Sequence, residues 1–205
     1  MDYTDYQLAV MSTAQYPDVG NNPAYPALGL VGEIVEFLEK PQDIFELSDA
    51  CWYCAALAHE LGLNIGNIAD AIERPDLEKG LDNPEEALRS IGAINTGAFP
   101  LIPTDDVIRI AKLVDGDIAT EYVFFKLISS VGKVAEQVKK TIRDDGEFTP
   151  ERIETIKKLL ADILTTLGLA AFMNQVLLTD VFQANADKLQ SRKARGVISG
   201  SGDYR

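Results

Sequence analysis

The stretch Gly29-Leu-Val-Gly-Glu33-Ile-Val-Glu36-Phe-Leu-Glu-Lys40, with Glu46-Leu-Ser-Asp49-Ala-Cys-Trp-Tyr-Cys54 just after it, decides how this chain is read. Glu33 and Glu36 stand three residues apart, and so do Glu46 and Asp49. Side chains three apart share one face of an α-helix, so each pair presents two carboxylates in one direction. The turn at Lys40-Pro41-Gln42 is short enough to fold the second helix back on the first. Four carboxylates are then expected to converge among Leu30, Ile34, Phe37, Leu47, Cys51 and Cys54. Like charges that close repel unless a cation sits among them. All-oxygen ligands suit Mg²⁺, with Mn²⁺ as a substitute, better than zinc. The expectation is a magnesium site on a helical bundle, with Glu33, Glu36, Glu46 and Asp49 as ligands.

Outward from that hairpin the helical period continues. Thr4 to Gln15 reads as a first helix, with Leu8 and Met11 as part of its apolar face. Pro26 fits the first turn of the second helix, where its missing N–H costs nothing. The third helix is expected from about Asp43 to Leu61, stopped by Gly62, and a short fourth from Ile65 to Glu73 ends before Pro75. Residues 75–103 hold Gly80, Asn83-Pro84, Gly92, Asn95-Thr-Gly97 and two further prolines. They read as a connector across the surface, with one brief helix started by Asn83-Pro84-Glu85-Glu86. Thr104-Asp-Asp then caps a segment carrying Val107, Ile108, Ile110 and Ala111. Tyr122 to about Arg143 carries Phe124, Leu127, Ile128, Val131, Val134 and Val138 at helical spacing. Thr149-Pro150-Glu151 is a helix start, followed by the stripe Ile153, Ile156, Leu160, Ile163, Leu164 and Leu167. A last helix is expected near Asp180 to Arg192, ahead of a Gly- and Ser-rich tail. No run of β-branched residues alternates at period two, so the predicted fold is all-α.

A length of 205 residues and 46% hydrophobic side chains allow one substantial core or two small ones. The net charge of −13 argues against a general nucleic-acid binder, which needs a basic face for phosphates. No apolar run reaches the ~18–20 residues of a membrane span. The N-terminal Met1-Asp-Tyr-Thr-Asp-Tyr lacks the basic flank and apolar run of a secretion signal. Two cysteines three apart cannot staple distant segments, and a cytoplasmic protein is expected. Cys51-Trp-Tyr-Cys54 lies mid-helix, with no helix start to lower a thiol pKa, and reads as small core residues rather than a redox pair. His59, the one histidine, reads as a surface residue.

Val31-Gly32-x-x-x-Glu36-x-x-x-Lys40 and Val131-Gly132-x-x-x-Glu136-x-x-x-Lys140 are offset by 100 residues, as are Thr4-Asp5 and Thr104-Asp105. The order of helices repeats with them, which points to a tandem duplication. In the second copy Lys133 replaces Glu33, and Leu159 stands in the place of Glu46, so only the first copy is expected to hold the metal.

These residues resemble the all-α nucleoside triphosphate pyrophosphohydrolases of the MazG-like group. That pattern is E-x-x-E on one helix, E-x-x-D on the next, then a helix with an Asn and a Lys three residues later. Glu33-Ile-Val-Glu36 and Glu46-Leu-Ser-Asp49 match the first two parts. The third appears far downstream, as Asn185-Ala-Asp-Lys188-Leu-Gln-Ser-Arg192-Lys-Ala-Arg195-Gly. The likeness covers residues 1–74 and 180–205, with a weaker echo across 104–178.

The resemblance implies Mg²⁺-dependent hydrolysis of an NTP or dNTP to the monophosphate and pyrophosphate. Glu36 or Glu46 would orient the attacking water. Asn185, Lys188, Arg192 and Arg195 would meet phosphate and sugar, and Trp52 or Tyr53 would stack on the base. The chain departs from the pattern in two ways. Only nine residues separate Glu36 from Glu46, and the first copy has Ile72 and Pro75 where the group has its Asn and Lys. A fused pseudo-dimer follows, with residues 1–74 supplying carboxylates, 75–103 connecting, and a degenerate 104–205 supplying the phosphate-binding helix. It would act as a monomer or as a homodimer of such chains. The alternative is a helical binding or regulatory module that kept the bundle and lost catalysis.

Overall fold

Five of the described helices begin at an N-cap side chain that accepts from one of the first free N–H groups. Asp2 accepts from Asp5 N at the head of α1 (Tyr3–Thr13), and Asp43 accepts from Phe45 N at the head of α3 (Ile44–Glu60). Asn64 and Asn83 cap α4 (Ile65–Ala69) and α5 (Pro84–Asn95) in the same way. Thr149 caps α7 (Pro150–Met173), with Pro150 in its first turn as the sequence predicts. Three further helices are α2 (Ala24–Glu39), α6 (Gly116–Arg143) and α8 (Leu178–Ala194). The structure is a computed structural model that describes residues 1–73, 79–80, 83–98, 108–109, 111–112, 116–144 and 146–197. Among these residues there is no strand, and the fold is all-α.

Across the turn at 40–43 α2 folds against α3, and α6 likewise packs against α7, giving two antiparallel hairpins. The hairpins join as a four-helix bundle, with α2 packed on α6 and α3 on α7. Leu30, Ile34 and Phe37 of α2 meet Leu47, Cys51, Cys54 and Leu57 of α3 in its centre. Leu127 and Val134 of α6 and Leu160, Leu164 and Leu167 of α7 close it from the other hairpin. Burial of each large side chain contributes about 1.5–3 kcal/mol. Both cysteines are free and fully buried, and burial pushes both thiols up, which fits core packing rather than redox chemistry. No single described helix is long and apolar enough to cross a membrane.

Three expectations need correction. The face that α1 buries is Tyr3, Tyr6, Gln7, Val10 and Thr13, while Leu8 is exposed. A polar side chain can line a core when it is hydrogen-bonded: Gln7 donates to the carbonyls of Ala55 and Leu63 and accepts from Ile65 N. The described part of the 75–103 segment is no surface strap. Its α5 buries Ala87, Leu88, Ile91 and Ala93 against α7. At their crossing a Cβ on Gly92 would lie 2.3 Å from the Thr165 carbonyl oxygen, and one on Gly168 would lie 2.3 Å from that of Gly92. Two glycines let the backbones touch. The boundaries of α4 and α6 also shift, to Ala69 and Gly116.

The predicted Thr104-Asp-Asp cap, Val107, Ile110, Pro75 and the tail from residue 198 lie outside the described residues.

Candidate metal centre

The α2–α3 hairpin brings three of the four predicted ligands together. Glu33, Glu36 and Glu46 each offer a carboxylate oxygen, and these oxygens lie within 4.8 Å of one another. Glu33 is half-buried, Glu36 is exposed and Glu46 is buried, so the cluster opens at one side and is walled at the other. Burial first, and then the charges of Asp49, Glu36 and Glu46, push the Glu33 carboxyl up to about 8 against the opposing pull of Lys188. A carboxyl so reluctant to ionise beside two others is a group that a cation would relieve. The donors are all oxygen, so the residues present fit Mg²⁺ or Mn²⁺.

Asp49, the fourth predicted ligand, stands apart from that cluster in the structure. Lys188 on α8 places its ammonium 2.8 Å from both Asp49 oxygens. Asn185, one turn earlier, donates to Asp49 Oδ1 at 3.0 Å and to Ser48 Oγ at 3.1 Å. Its own carbonyl oxygen accepts from Tyr6 OH at 3.0 Å, and the Tyr6 ring stacks on Phe182. The network of Tyr6, Asn185, Ser48 and Asp49 is buried or half-buried throughout, and every link in it is a hydrogen bond of normal length. A lysine also reaches Glu46. Lys40 Nζ, from the interhelical turn, lies 2.6 Å from Glu46 Oε1, and that contact raises the Lys40 pKa.

The predicted phosphate-binding helix is therefore beside the carboxylates, through Asn185 and Lys188. Arg192, one turn further, is buried, and Arg195 is exposed at the end of α8.

Trp52 sits in an aromatic group with Tyr16, Tyr25 and Tyr53, and its Nε1 is buried without a hydrogen-bond partner among the described residues. Tyr53 lies across Gly29, where a Cβ would come within 2.0 Å of its ring. Gly29 precedes Glu33 by one turn, so this ring borders the carboxylates on α2. Glu60 anchors the aromatic group by accepting from Tyr16 OH, Gly20 N and Asn22 N at 2.6–2.7 Å. Tyr6, Ser48 and Lys40 were not predicted to belong to the site. Lys40 had a signal, a cation six residues before Glu46 across a short turn. Tyr6 had none, since its partner is 179 residues away.

No protein-family model matches the chain, and no solved structure matches it. Over 85 residues it is 44% identical to the Gene 37 protein of Mycobacterium phage L5, an alignment that spans 41% of this chain and 75% of the phage protein. Identity at that level over three quarters of the relative is well beyond chance likeness between helical hairpins, and the chain belongs to the family of the phage L5 Gene 37 protein.

Proposed function

We propose that this protein is a Mg²⁺-dependent nucleoside triphosphate pyrophosphohydrolase, converting an NTP or dNTP to the monophosphate and pyrophosphate. One observation carries the reading. Three carboxylates converge on one hairpin, and a lysine and an asparagine from a helix 136–139 residues away stand at the next turn. Glu33, Glu36 and Glu46 would hold Mg²⁺, with Asp49 joining once Lys188 leaves it. The bound ion would supply positive charge against the triphosphate and lower the pKa of a water. The water oxygen would form a bond to the α-phosphorus, the bond from that phosphorus to the bridging oxygen would break, and pyrophosphate would leave with the bond electrons. Glu46 is already engaged by Lys40, whereas Glu36 accepts no side-chain hydrogen bond among the described residues. Glu36 is therefore the better placed of the two to take the water's proton.

Lys188 has a natural second position. A triphosphate is a stronger anion than one aspartate, and an ammonium released from Asp49 would follow it. The duplication belongs to the same proposal: carboxylates from the first hairpin and cations from the last helix make one composite site.

A second reading is supported by the same ion pairs. Lys188 on Asp49 and Lys40 on Glu46 neutralise two carboxylates from within the chain, as a helical binding module that had lost catalysis would do. Pyrophosphate release from a panel of NTPs and dNTPs with Mg²⁺ separates the two. The enzyme reading expects turnover on at least one nucleotide, lost in Glu36→Gln with helical circular dichroism intact. No turnover by the folded protein, with no rise in melting temperature from Mg²⁺ and nucleotide together, would favour the module.

A further inference from the structure

The longest helix of the bundle carries a regular apolar stripe on its outer side. On α6 the positions Ile118, Glu121, Phe125, Ile128, Gly132, Ala135, Lys139 and Ile142 follow one another at alternating spacings of three and four, the spacing of a helix-pairing seam. Phe125 is 73% exposed, Ile142 65%, Ile128 56% and Ile118 52%, large apolar side chains that ordinarily point inward. Inward positions of the same helix, Val123, Leu127, Val131, Val134 and Val138, already fill the core. The outer stripe is a second apolar face.

The stripe reads nearly the same in both directions. Reversed about its middle, Ile118 falls opposite Ile142, Glu121 opposite Lys139, Phe125 opposite Ala135 and Ile128 opposite Gly132. Each pairing is complementary: apolar with apolar, acid with base, large with small, and a branched side chain with open space. Nothing lies within 4 Å of where a Gly132 Cβ would be, so a hole is present for a knob. From this geometry we infer that two copies of the chain associate through antiparallel α6 helices related by a two-fold axis. Glu121 then meets Lys139 of the partner subunit, and Ile128 packs over Gly132 of the partner subunit. A two-fold contact doubles every such pair.

Charge complementarity selects a second copy as the occupant. The chain carries a net charge of −13, which opposes self-association, yet the two charged members of the stripe, Glu121 and Lys139, are of opposite sign and fall opposite each other across the two-fold axis. Lys139 pairs with Glu136 inside its own helix, an exposed contact that is easily exchanged for one with the partner.

The neighbouring helix repeats the design. Tyr25, Leu28, Gly32 and Val35 of α2 stand 100 residues before Phe125, Ile128, Gly132 and Ala135, and Tyr25, Leu28 and Val35 are exposed. Phe37 and Pro41 line the same small cavity as Thr120, Val123 and Phe124, so α2 ends where α6 begins and the two run antiparallel. The same two-fold operation would therefore set α2 on α2 of the partner subunit and widen the contact.

Sedimentation equilibrium of the full chain tests this, and the test is independent of any nucleotide chemistry. The expected wild-type mass is twice the 22.4 kDa of the chain. Phe125→Glu combined with Ile128→Lys should return it to the chain mass with unchanged helical circular dichroism. Glu121→Lys alone and Lys139→Glu alone should each weaken association by about tenfold, and the two together should restore it. A wild type that remains a monomer at about 100 μM, near the weak limit of specific association, would overturn the inference. So would a dimer that survives the Phe125/Ile128 double change. Single charge reversals without effect, or not rescued in combination, would overturn the antiparallel pairing.

Discussion

Lys188 and Asp49 lie 139 residues apart in the chain, and the lysine ammonium is 2.8 Å from both carboxylate oxygens. The pair is mostly shielded, with 10% of the Lys188 side chain and 22% of the Asp49 side chain exposed. Removing one partner of a shielded pair leaves the other charge uncompensated, which is the costly event. Lys188→Ala is expected to destabilise the metal-free protein by about 2 kcal/mol, less than a fully buried pair because water reaches Asp49. Mg²⁺ should restore part of that loss, since the freed carboxylate becomes available to the cation. Thermal melts in chelator and in excess Mg²⁺ check both halves. Equal melting temperatures for wild type and variant in chelator would mean that the pair holds nothing.

Glu33 gives the site a pH signature. Its carboxyl, ordinarily near 4.5, is raised to about 8 by burial and by Asp49, Glu36 and Glu46. Between those values the native protein keeps a proton that the unfolded chain has lost, so its contribution to stability is full below 4.5 and declines as pH rises through about 8. A cation must displace the same proton, so Mg²⁺ affinity should climb with pH up to about 8 and then level off. Calorimetric titration in buffers of different ionisation heat should detect close to one proton released per Mg²⁺ near pH 7. Glu33→Gln should abolish that release. A flat affinity between pH 6 and 9 would place Glu33 outside the site.

Much of this was legible in the sequence because it depends on neighbours along one helix. The α2–α3 hairpin follows from E-x-x-E, a Pro-bearing turn and E-x-x-D, and the helix starts at Asn83 and Thr149 follow from capping chemistry. What was not legible depends on the other side of a contact. Leu8 was expected inside and Gln7 was not, because the two carbonyls and the amide that satisfy Gln7 come from α3, the loop after it and the start of α4. The 84–95 segment looked like a connector because glycine and asparagine are turn residues. Gly92 is there to meet Gly168, a partner that no local pattern reveals. Asp49 was grouped with the glutamates by helical spacing and by the E-x-x-D resemblance, and only the fold shows that α8 brings a cation to it.

Tyr6 is a support for Asp49 at one remove. Its hydroxyl donates to Asn185 Oδ1 at 3.0 Å, which leaves the Asn185 amide nitrogen to face Ser48 and Asp49. Tyr6→Phe keeps the ring, stacked 4.3 Å from Phe182, and deletes one bond to a fully buried acceptor. The expected loss is about 1–2 kcal/mol, the cost of leaving that acceptor unpaired. Freed of its anchor, Asn185 can turn, and the Mg²⁺ response of the melting temperature should shift with it. A loss of stability with an unaltered Mg²⁺ response would confine Tyr6 to packing.

The glycines divide into two classes, and alanine tells them apart. Within a helix, Gly→Ala is ordinarily favourable by about 0.5–1 kcal/mol, because alanine has less backbone freedom to lose. Gly32 has nothing of its own chain within 4 Å of its absent Cβ, so Gly32→Ala should gain that amount in the dissociated chain. At Gly168 the new methyl would stand 2.3 Å from the Gly92 carbonyl oxygen and 3.0 Å from Thr96 Cγ2. A backbone oxygen cannot rotate away as a side chain can, so α5 and α7 must separate along their whole contact. The gain in helix propensity is then outweighed, and Gly168→Ala should lose about 2–3 kcal/mol net. Asn95 makes the loss larger than a local clash, because its amide donates to the Gly168 carbonyl and to the Val176 carbonyl, tying the end of α5 to the last turns of α7 and to the turn before α8. Separation of α5 from α7 would stretch both bonds and loosen the start of the helix that carries Asn185 and Lys188. Denaturant melts of the two variants side by side decide the matter: opposite signs are expected. A Gly168→Ala protein as stable as wild type would mean that the two helices do not meet backbone to backbone.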